Sequence, residues 1–250
     1  MSSRHFAFVG LFALSLAAFA APAMADCAAL PKFEKLQEVL RTSVKASGGA
    51  ENGGFELNMW AALVDRDGVV CAVAFSGQDR DDQWPGSRII AAQKANTANA
   101  FSLKGLAIST ANLYSAVQPG GSLYGLQFSN PVNESVAYSG HPKNYGTEDD
   151  PMVGQRIGGV NIFGGGLALY TKDGIVGGLG VSGDSACADH NVAWRVRQAL
   201  ELAAVPGGVS KAKTDAIIYD IAKGKSKSGF GHPLCAGKEN KVGLALKAAE

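Results

Sequence analysis

One eleven-residue pattern occurs twice in the chain and constrains the fold more than any other feature. Residues 67–77 read Asp-Gly-Val-Val-Cys-Ala-Val-Ala-Phe-Ser-Gly, and residues 173–183 read Asp-Gly-Ile-Val-Gly-Gly-Leu-Gly-Val-Ser-Gly. Each copy follows an apolar run and precedes a polar loop and an amphipathic helical pattern. Because Asp-Gly between apolar runs favours a β-hairpin, the chain is predicted to contain two hairpin–helix units. Two unrelated hairpins remain the alternative.

These units predict an α+β fold in which one antiparallel sheet contains both hairpins. The predicted strands are 55–64, 69–75, 160–170 and 175–181, with a further possible strand at 123–128. The predicted helices are 30–44, 87–103 and 189–204, with a short helical stretch at 214–222. A sheet face is the one large apolar surface that can cover the aliphatic stripes of these helices. The glycines in the strands suggest close approach of other backbones or of a flat ligand.

The amino-terminal residues predict export. A short basic start at Arg4 precedes an apolar stretch, residues 6–21, and the small residues of a cleavage site end at Ala25. Residues 1–25 are therefore predicted to be a signal peptide, followed by a helical segment at 26–54, one domain at 55–204 and an extension at 205–250. We expect a periplasmic or secreted protein without a membrane anchor, since Asp26 stands where a lipoprotein signal needs a small residue.

The charge balance offers no case for nucleic acid as a partner. Without the predicted signal peptide, the chain has 22 basic and 22 acidic residues. A protein that binds a polyanion usually carries a clear basic excess.

Four cysteines in an exported chain predict two disulfides and no free thiol. Four cysteines allow three pairings, of which we favour Cys27 with Cys71 and Cys187 with Cys235. The rival is a metal site, but the chain lacks Cys-x-x-Cys, and its tightest Cys/His spacing is Cys187 to His190.

Familiar catalytic motifs are absent from the sequence. The glycines at 164–166 open no helix and so cannot cradle a phosphate, and Ser182 lacks a nucleophile elbow. Catalytic residues are therefore not predicted. Outside the predicted signal peptide, three histidines remain as possible ligands: His141, His190 and His232. The segment 130–159 is long, and a loop of that length is usually functional.

Two segments resemble a known family. Residues 94–98, Lys-Ala-Asn-Thr-Ala, resemble the "KA-x-TA" helix of the GlcG/HbpS-like haem-binding family, which includes the carboxy-terminal domain of PduO-type proteins. Residues 158–183, ending in Gly-Val-Ser-Gly, resemble that family's second signature. The chain departs from the signature at Leu167, where the family usually has proline, and in its longer loop, cysteines and tail.

The resemblance implies a profilin- or roadblock-like fold, oligomers, and non-covalent binding of haem or a related tetrapyrrole. We expect haem beside the carboxy-terminal end of the second hairpin, with His190 as the iron ligand; the alternative is that His190 only caps or packs at the start of the helix. Lys94 would meet a propionate and Thr97 would donate a hydrogen bond. His141 in the long loop is the alternative ligand.

Two other functions stay open on the sequence. The chain could be an oligomeric interaction module without a cofactor. It could also be an uncharacterised enzyme with an acid/base pair in the polar loops 79–84 and 145–150.

Overall fold

The computed structural model describes residues 27–248, so the predicted signal peptide lies outside the described residues. In chain order, the α-helices are α1 (Phe33–Ser43), α2 (Ser87–Ala100), α3 (Leu126–Ser129), α4 (Glu134–Ala137), α5 (Ala186–Ala199) and α6 (Glu239–Ala248). The strands are β1 (Trp60–Asp65), β2 (Val70–Phe75), β3 (Gly166–Thr171), β4 (Gly174–Ser182), β5 (Ile221–Ala222) and β6 (Lys225–Ser226).

The first four strands form one antiparallel sheet in the order β2-β1-β4-β3. The hairpins β1–β2 and β3–β4 meet through β1 and β4, with Trp60 opposite Ser182 and Ala62 opposite Gly180. The second helix follows one hairpin and the fifth helix follows the other. The predicted α+β arrangement of two hairpin–helix units in one sheet is therefore confirmed.

Helices cover both faces of this sheet. Leu63 and Leu179 lie in a core cluster with α1 and α5, whereas Ala62 and Val64 of the same strand lie in a cluster with α2. Because side chains alternate between the two faces of a strand, strands buried on both faces must be apolar throughout. Strand β1 is buried along its whole length.

The glycines of β4 make room for α2. A Cβ atom at Gly180 would overlap the carbonyl oxygen of Ala91, and one at Gly178 would overlap that of Ala95. The helix therefore lies directly against the strand backbone, which is a recognised use of strand glycines. The expectation that these glycines admit a flat ligand is wrong at these two positions, because the helix fills the space.

Several predicted elements differ from the structure, including residues 55–59, which precede β1, and the helix predicted at 189–204, which is Ala186–Ala199. Residues 123–128 do not form a strand, since Gly125 has a φ of 92° and begins the helical turn α3. Residues 160–165 precede β3 rather than belonging to it. Residues 214–220 are not helical; Asp215 pairs with Arg197, and the amide of Ile217 bonds to His190, so tertiary contacts hold the backbone extended.

Both predicted disulfides are present. Cys27 is joined to Cys71, with the Cα atoms 5.5 Å apart, and Cys187 to Cys235, with the Cα atoms 6.1 Å apart. The first ties the amino-terminal segment to β2, and the second ties the extension to the first turn of α5. Across residues 27–248, no helix has the length and apolar character that crossing a bilayer requires.

Candidate ligand groove and the predicted site residues

His190 lies in the amino-terminal part of α5 and is covered by the carboxy-terminal extension. Its side chain is 1% exposed, and its Nε2 atom accepts a hydrogen bond of 3.2 Å from the amide of Ile217. Its Nδ1 atom has no hydrogen-bond partner. Burial holds the pKa of His190 well below 6.5, and the charges of Lys247 and Arg197 lower it further. The imidazole is therefore neutral but has no open side.

Lys94 forms a buried ion pair with Asp189. Its Nζ atom lies 2.7 Å from Oδ2 of Asp189 and donates a second hydrogen bond of 3.2 Å to the carbonyl oxygen of Val181. Both side chains of the pair are almost fully buried. Lys94 therefore fixes α2 to the start of α5 and is not free to meet a ligand carboxylate.

Thr97 also makes its hydrogen bonds within the protein. Its hydroxyl donates to the carbonyl oxygen of Gln93 at 2.7 Å and accepts from the amide of Asn161 at 3.0 Å. The segment 164–166 fills the space between Lys94 and His190, and a Cβ atom at Gly165 would lie 3.1 Å from Lys94 Nζ. The structure thus brings these residues to one region without leaving a groove between them.

His141 occupies a different environment. It is exposed in the long loop, and its Nδ1 atom accepts a hydrogen bond of 3.2 Å from the amide of Lys143, which caps a short 3₁₀ turn. It lines a hollow of about 560 Å³ together with Phe75 and Arg80. His141 is thus the predicted ligand residue that faces open space.

A second hollow, of about 570 Å³, adjoins the first and shares Arg80 and Tyr145 with it. We call the two hollows together the loop groove. The wall of the second hollow is largely apolar and combines the start of α2 with the long loop. Its apolar lining residues are Trp60, Pro85, Ile89, Ile90, Val132 and Tyr138.

A buried ion pair holds the long loop against α2. Arg88 donates two hydrogen bonds to the carboxylate of Asp150, one of them from Nε at 2.8 Å, and a third to the carbonyl oxygen of Ala137 at 2.9 Å. The guanidinium also lies 3.7 Å from the ring centre of Tyr145. A bidentate pair stacked on an aromatic ring has a defined geometry. The floor of the groove is therefore rigid.

The rim of the groove carries charges of both signs, since Asp79 and Asp81 line it together with Arg80 and Lys143. Arg80 lies between its contacts to Asp81 and to the carbonyl oxygen of Pro142, and Lys143 is exposed nearby. The polar loops 79–84 and 145–150, which the sequence suggested as possible acid/base elements, do meet at this groove. Both carboxylate oxygens of Asp150 accept hydrogen bonds from Arg88, however, so Asp150 does not supply a free carboxylate there.

One group of potential metal ligands includes two of the cysteines. Among the described residues, Cys27, Asp65 and Cys71 bring potential ligand atoms within 4.8 Å of one another. The two sulfur atoms are bonded to each other, so they are not thiolate ligands in this structure.

Sequence reasoning missed the groove residues Arg80, Arg88 and Tyr145. The one available signal was the unusual length of the loop 130–159. Its contact with α2 depends on Arg88 and Asp150, which are 62 positions apart, and a single sequence shows no such pairing.

Comparisons with known proteins place the chain in a family. The model of a family described as "Haem degrading protein HbpS-like" matches residues 45–198, more than half of the chain. No curated protein matches.

Solved structures give weaker similarities. The Klebsiella pneumoniae protein ORFY, of the family DUF336, is 24% identical over 67% of this chain and 86% of its own, with a TM-score of 0.45. A PduOC:heme complex is 24% identical over 70% of this chain and 98% of its own, with a TM-score of 0.47. HbpS is 18% identical over 68% of this chain and 89% of its own, with a TM-score of 0.40. On the strength of the match over residues 45–198, the chain belongs to the HbpS-like family.

Proposed function

We propose that the chain binds haem or a related tetrapyrrole non-covalently in the loop groove. The observation that carries this proposal is the juxtaposition of an imidazole, two cationic side chains and an apolar wall in one open groove. Membership of a family described as haem degrading proteins supports the choice of ligand.

The groove fits the chemistry of a flat, largely apolar ligand with two carboxylates. Each hollow falls within the range of about 300–1,000 Å³ that is common for small-molecule sites. Ile89, Ile90 and Val132 offer partly buried apolar surface, and Tyr138 is 70% exposed at the edge. A ligand over these side chains would remove their apolar surface from water.

The cations at the rim supply the polar half of the site. Arg80 and Lys143 would pair with the ligand carboxylates, Arg80 as a planar fork and Lys143 as a point charge. Asp81 already contacts the Arg80 guanidinium at 3.3 Å in an exposed pair. Such exposed pairs are weak, so a ligand carboxylate would be able to share or replace this contact.

His141 is the residue that would hold iron. Its Nδ1 atom now accepts from the Lys143 amide, so in the neutral ring the proton resides on Nε2. Coordination of iron by Nε2 would require the proton on Nδ1, and His141 would then lose the hydrogen bond from the Lys143 amide, worth about 1 kcal/mol.

The test is a titration of the purified protein, lacking residues 1–25, with hemin. We expect a Soret band that saturates at one equivalent. The variant Arg80→Gln/Lys143→Gln should weaken binding by about 100-fold or more, since it removes two charge-assisted contacts of about 1.5 kcal/mol or more each. Lys35→Gln, at an exposed pair on α1, is the matched control. An absence of hemin binding would reject the proposal.

We also propose that the protein acts after export, as the two disulfides suggest. Disulfides persist in oxidising compartments and are rare in reducing ones. Fractionation of expressing cells tests this point: the mature chain should be recovered outside the cytoplasm with both disulfides intact, and recovery of reduced chain in the cytoplasm would contradict it.

A further inference from the structure

The carboxy-terminal extension covers a second imidazole that the loop groove does not use. Ile217, whose amide bonds to His190, packs in one apolar cluster with Ala111 and the disulfide Cys187–Cys235. The extension begins beyond the family match, which ends at residue 198. His190 is therefore sealed by a segment that the family core does not contain.

The covering segment, residues 216–235, buries little of itself. Its buried residues are Ala216, Ile217, Gly231 and His232, and the rest are partly or fully exposed. Both flanks are anchored more firmly. Asp215 pairs with Arg197 through bonds of 2.6 and 2.9 Å, and Glu239 accepts a bond of 2.6 Å from Ser185. Within the segment, the carbonyl oxygens of Ala216, Ile217 and Gly231 accept hydrogen bonds from Asn112, Lys247 and Ser115. The residues between these points make few buried contacts, and such stretches open at low free energy.

The disulfide Cys187–Cys235 is the covalent tie on this segment. Cys187 is fully buried, whereas Cys235 is partly exposed between the exposed residues Leu234 and Ala236. Cys235 is therefore the half of the disulfide that lies nearer to solvent, and its sulfur is the one that an external thiolate would attack.

We propose that Cys187–Cys235 is a latch, and that its reduction frees residues 216–235 and turns His190 into a second metal-coordinating imidazole for a ligand such as haem iron. The identity of that ligand rests on the proposed function, but the latch does not. The opened His190 remains beside the ion pair of Lys94 with Asp189 rather than in the loop groove.

The covalent step balances with an external dithiol as the reductant. One thiolate of the dithiol attacks the Cys235 sulfur, and the Cys187 thiolate leaves. The second thiol of the dithiol then closes an intramolecular disulfide and releases Cys235. Two electrons pass from the dithiol to the protein disulfide, and two protons end on Cys187 and Cys235.

Accessibility of His190 tests the latch without any ligand. The folded protein is treated with diethylpyrocarbonate, and modified histidines are quantified by peptide mass spectrometry. In the oxidised protein, His141 should react and His190 should not. In Cys187→Ser/Cys235→Ser, the reaction at His190 should accelerate by about 30-fold or more, the change in open population expected when a disulfide constraint is lost. Cys27→Ser/Cys71→Ser is the matched control and should leave His190 protected.

A second measurement covers the case in which the serine variant does not fold. The folded wild-type protein is pulsed with dithiothreitol and alkylated, and His190 reactivity is compared between molecules reduced at Cys235 and molecules that remain oxidised. Protection of His190 in the reduced molecules, or reactivity in the oxidised ones, would overturn the proposal. Hemin binding abolished by His141→Ala while His190 still opens on reduction would leave the latch intact and locate the ligand in the loop groove alone.

Discussion

Lys94 of α2 and Asp189 of α5 form a buried ion pair, with Nζ 2.7 Å from Oδ2, that joins helices packed on opposite faces of the sheet. Asp189 also accepts hydrogen bonds from the amides of Gly183 and Asp184, so the pair closes the turn after β4. Burial raises the pKa of Asp189 to about 6, and the charge of Lys94 opposes that rise. The family-like residue Lys94 therefore has a structural role in this chain.

Removing Lys94 should destabilise the protein strongly. Lys94→Met leaves the Asp189 carboxylate buried without its cation, and breaking such a pair typically costs about 3–5 kcal/mol. Lys35→Met is the control, because Lys35 and Glu38 form an exposed pair and such pairs contribute about 0–1 kcal/mol. The free energies of unfolding are measured with guanidinium chloride. Equal losses for the two variants would contradict the structural role of Lys94.

The contact between α2 and β4 predicts a severe effect at Gly180. In Gly180→Ala, the new methyl group meets the Ala91 carbonyl oxygen, which belongs to a helix backbone and cannot swing away. We expect a loss of about 3 kcal/mol, at the upper end of typical overpacking costs. Gly105→Ala, where a Cβ meets nothing within 4 Å, should change the free energy of unfolding little. A tolerated Gly180→Ala would mean that α2 does not lie against β4.

The two buried histidines should lower the stability as the pH drops below about 6.5, whereas Asp189, whose pKa is raised to about 6, should oppose that fall. Burial lowers the pKa of His232 to about 4 and that of His190 well below 6.5. Because the unfolded chain takes up these protons first, the stabilising contribution is complete above pH 6.5 and is lost as the pH falls toward the folded pKa values. For His232 alone, the loss between pH 7 and pH 5 is about 2 kcal/mol.

The comparison of His232→Gln with wild type isolates this effect from the carboxylates. Unfolding free energies are measured under non-reducing conditions at pH 7 and pH 5. The variant should lose less stability than the wild type on acidification, and an identical pH dependence would show that His232 is not buried as described.

The long loop should depend on Arg88. Arg88→Leu removes the partner of Asp150 and the stacking on Tyr145, so the loop 130–159 loses its anchor. We expect a loss of about 3–5 kcal/mol and faster hydrogen exchange in that loop than in β1–β4. Lys35→Leu is the control, since Lys35 forms an exposed pair on α1, outside the loop. Unchanged exchange in the loop would argue that other contacts hold it.

The sequence predicts the parts of the fold that local chemistry determines. The repeated Asp-Gly turns and the apolar runs beside them identify both hairpins, and helical spacing identifies α1, α2 and α5. The tail is different, because Asp215 and Ile217 are held extended by Arg197 and His190 on a distant helix. Local preference at 214–222 suggests a helix, and tertiary contacts override it.

The site was harder to predict for the same reason. His190, Lys94 and Thr97 have the residue types that suit a haem site, but the chain uses each of them in internal contacts. The loop groove forms only when Arg80 and His141, 61 positions apart in the sequence, line the same hollow. The periodicity of hydropathy along the sequence does not show that Arg80 and His141 lie close together.

Hemin titration of His141→Ala and His190→Ala in the oxidised protein tests the central claim most directly. The account predicts that His141→Ala weakens hemin binding and shifts the Soret maximum. His190→Ala should leave both unchanged, because the extension covers His190. A Soret band that is indifferent to His141→Ala but lost in a folded His190→Ala protein would contradict the account and place the ligand beside α5.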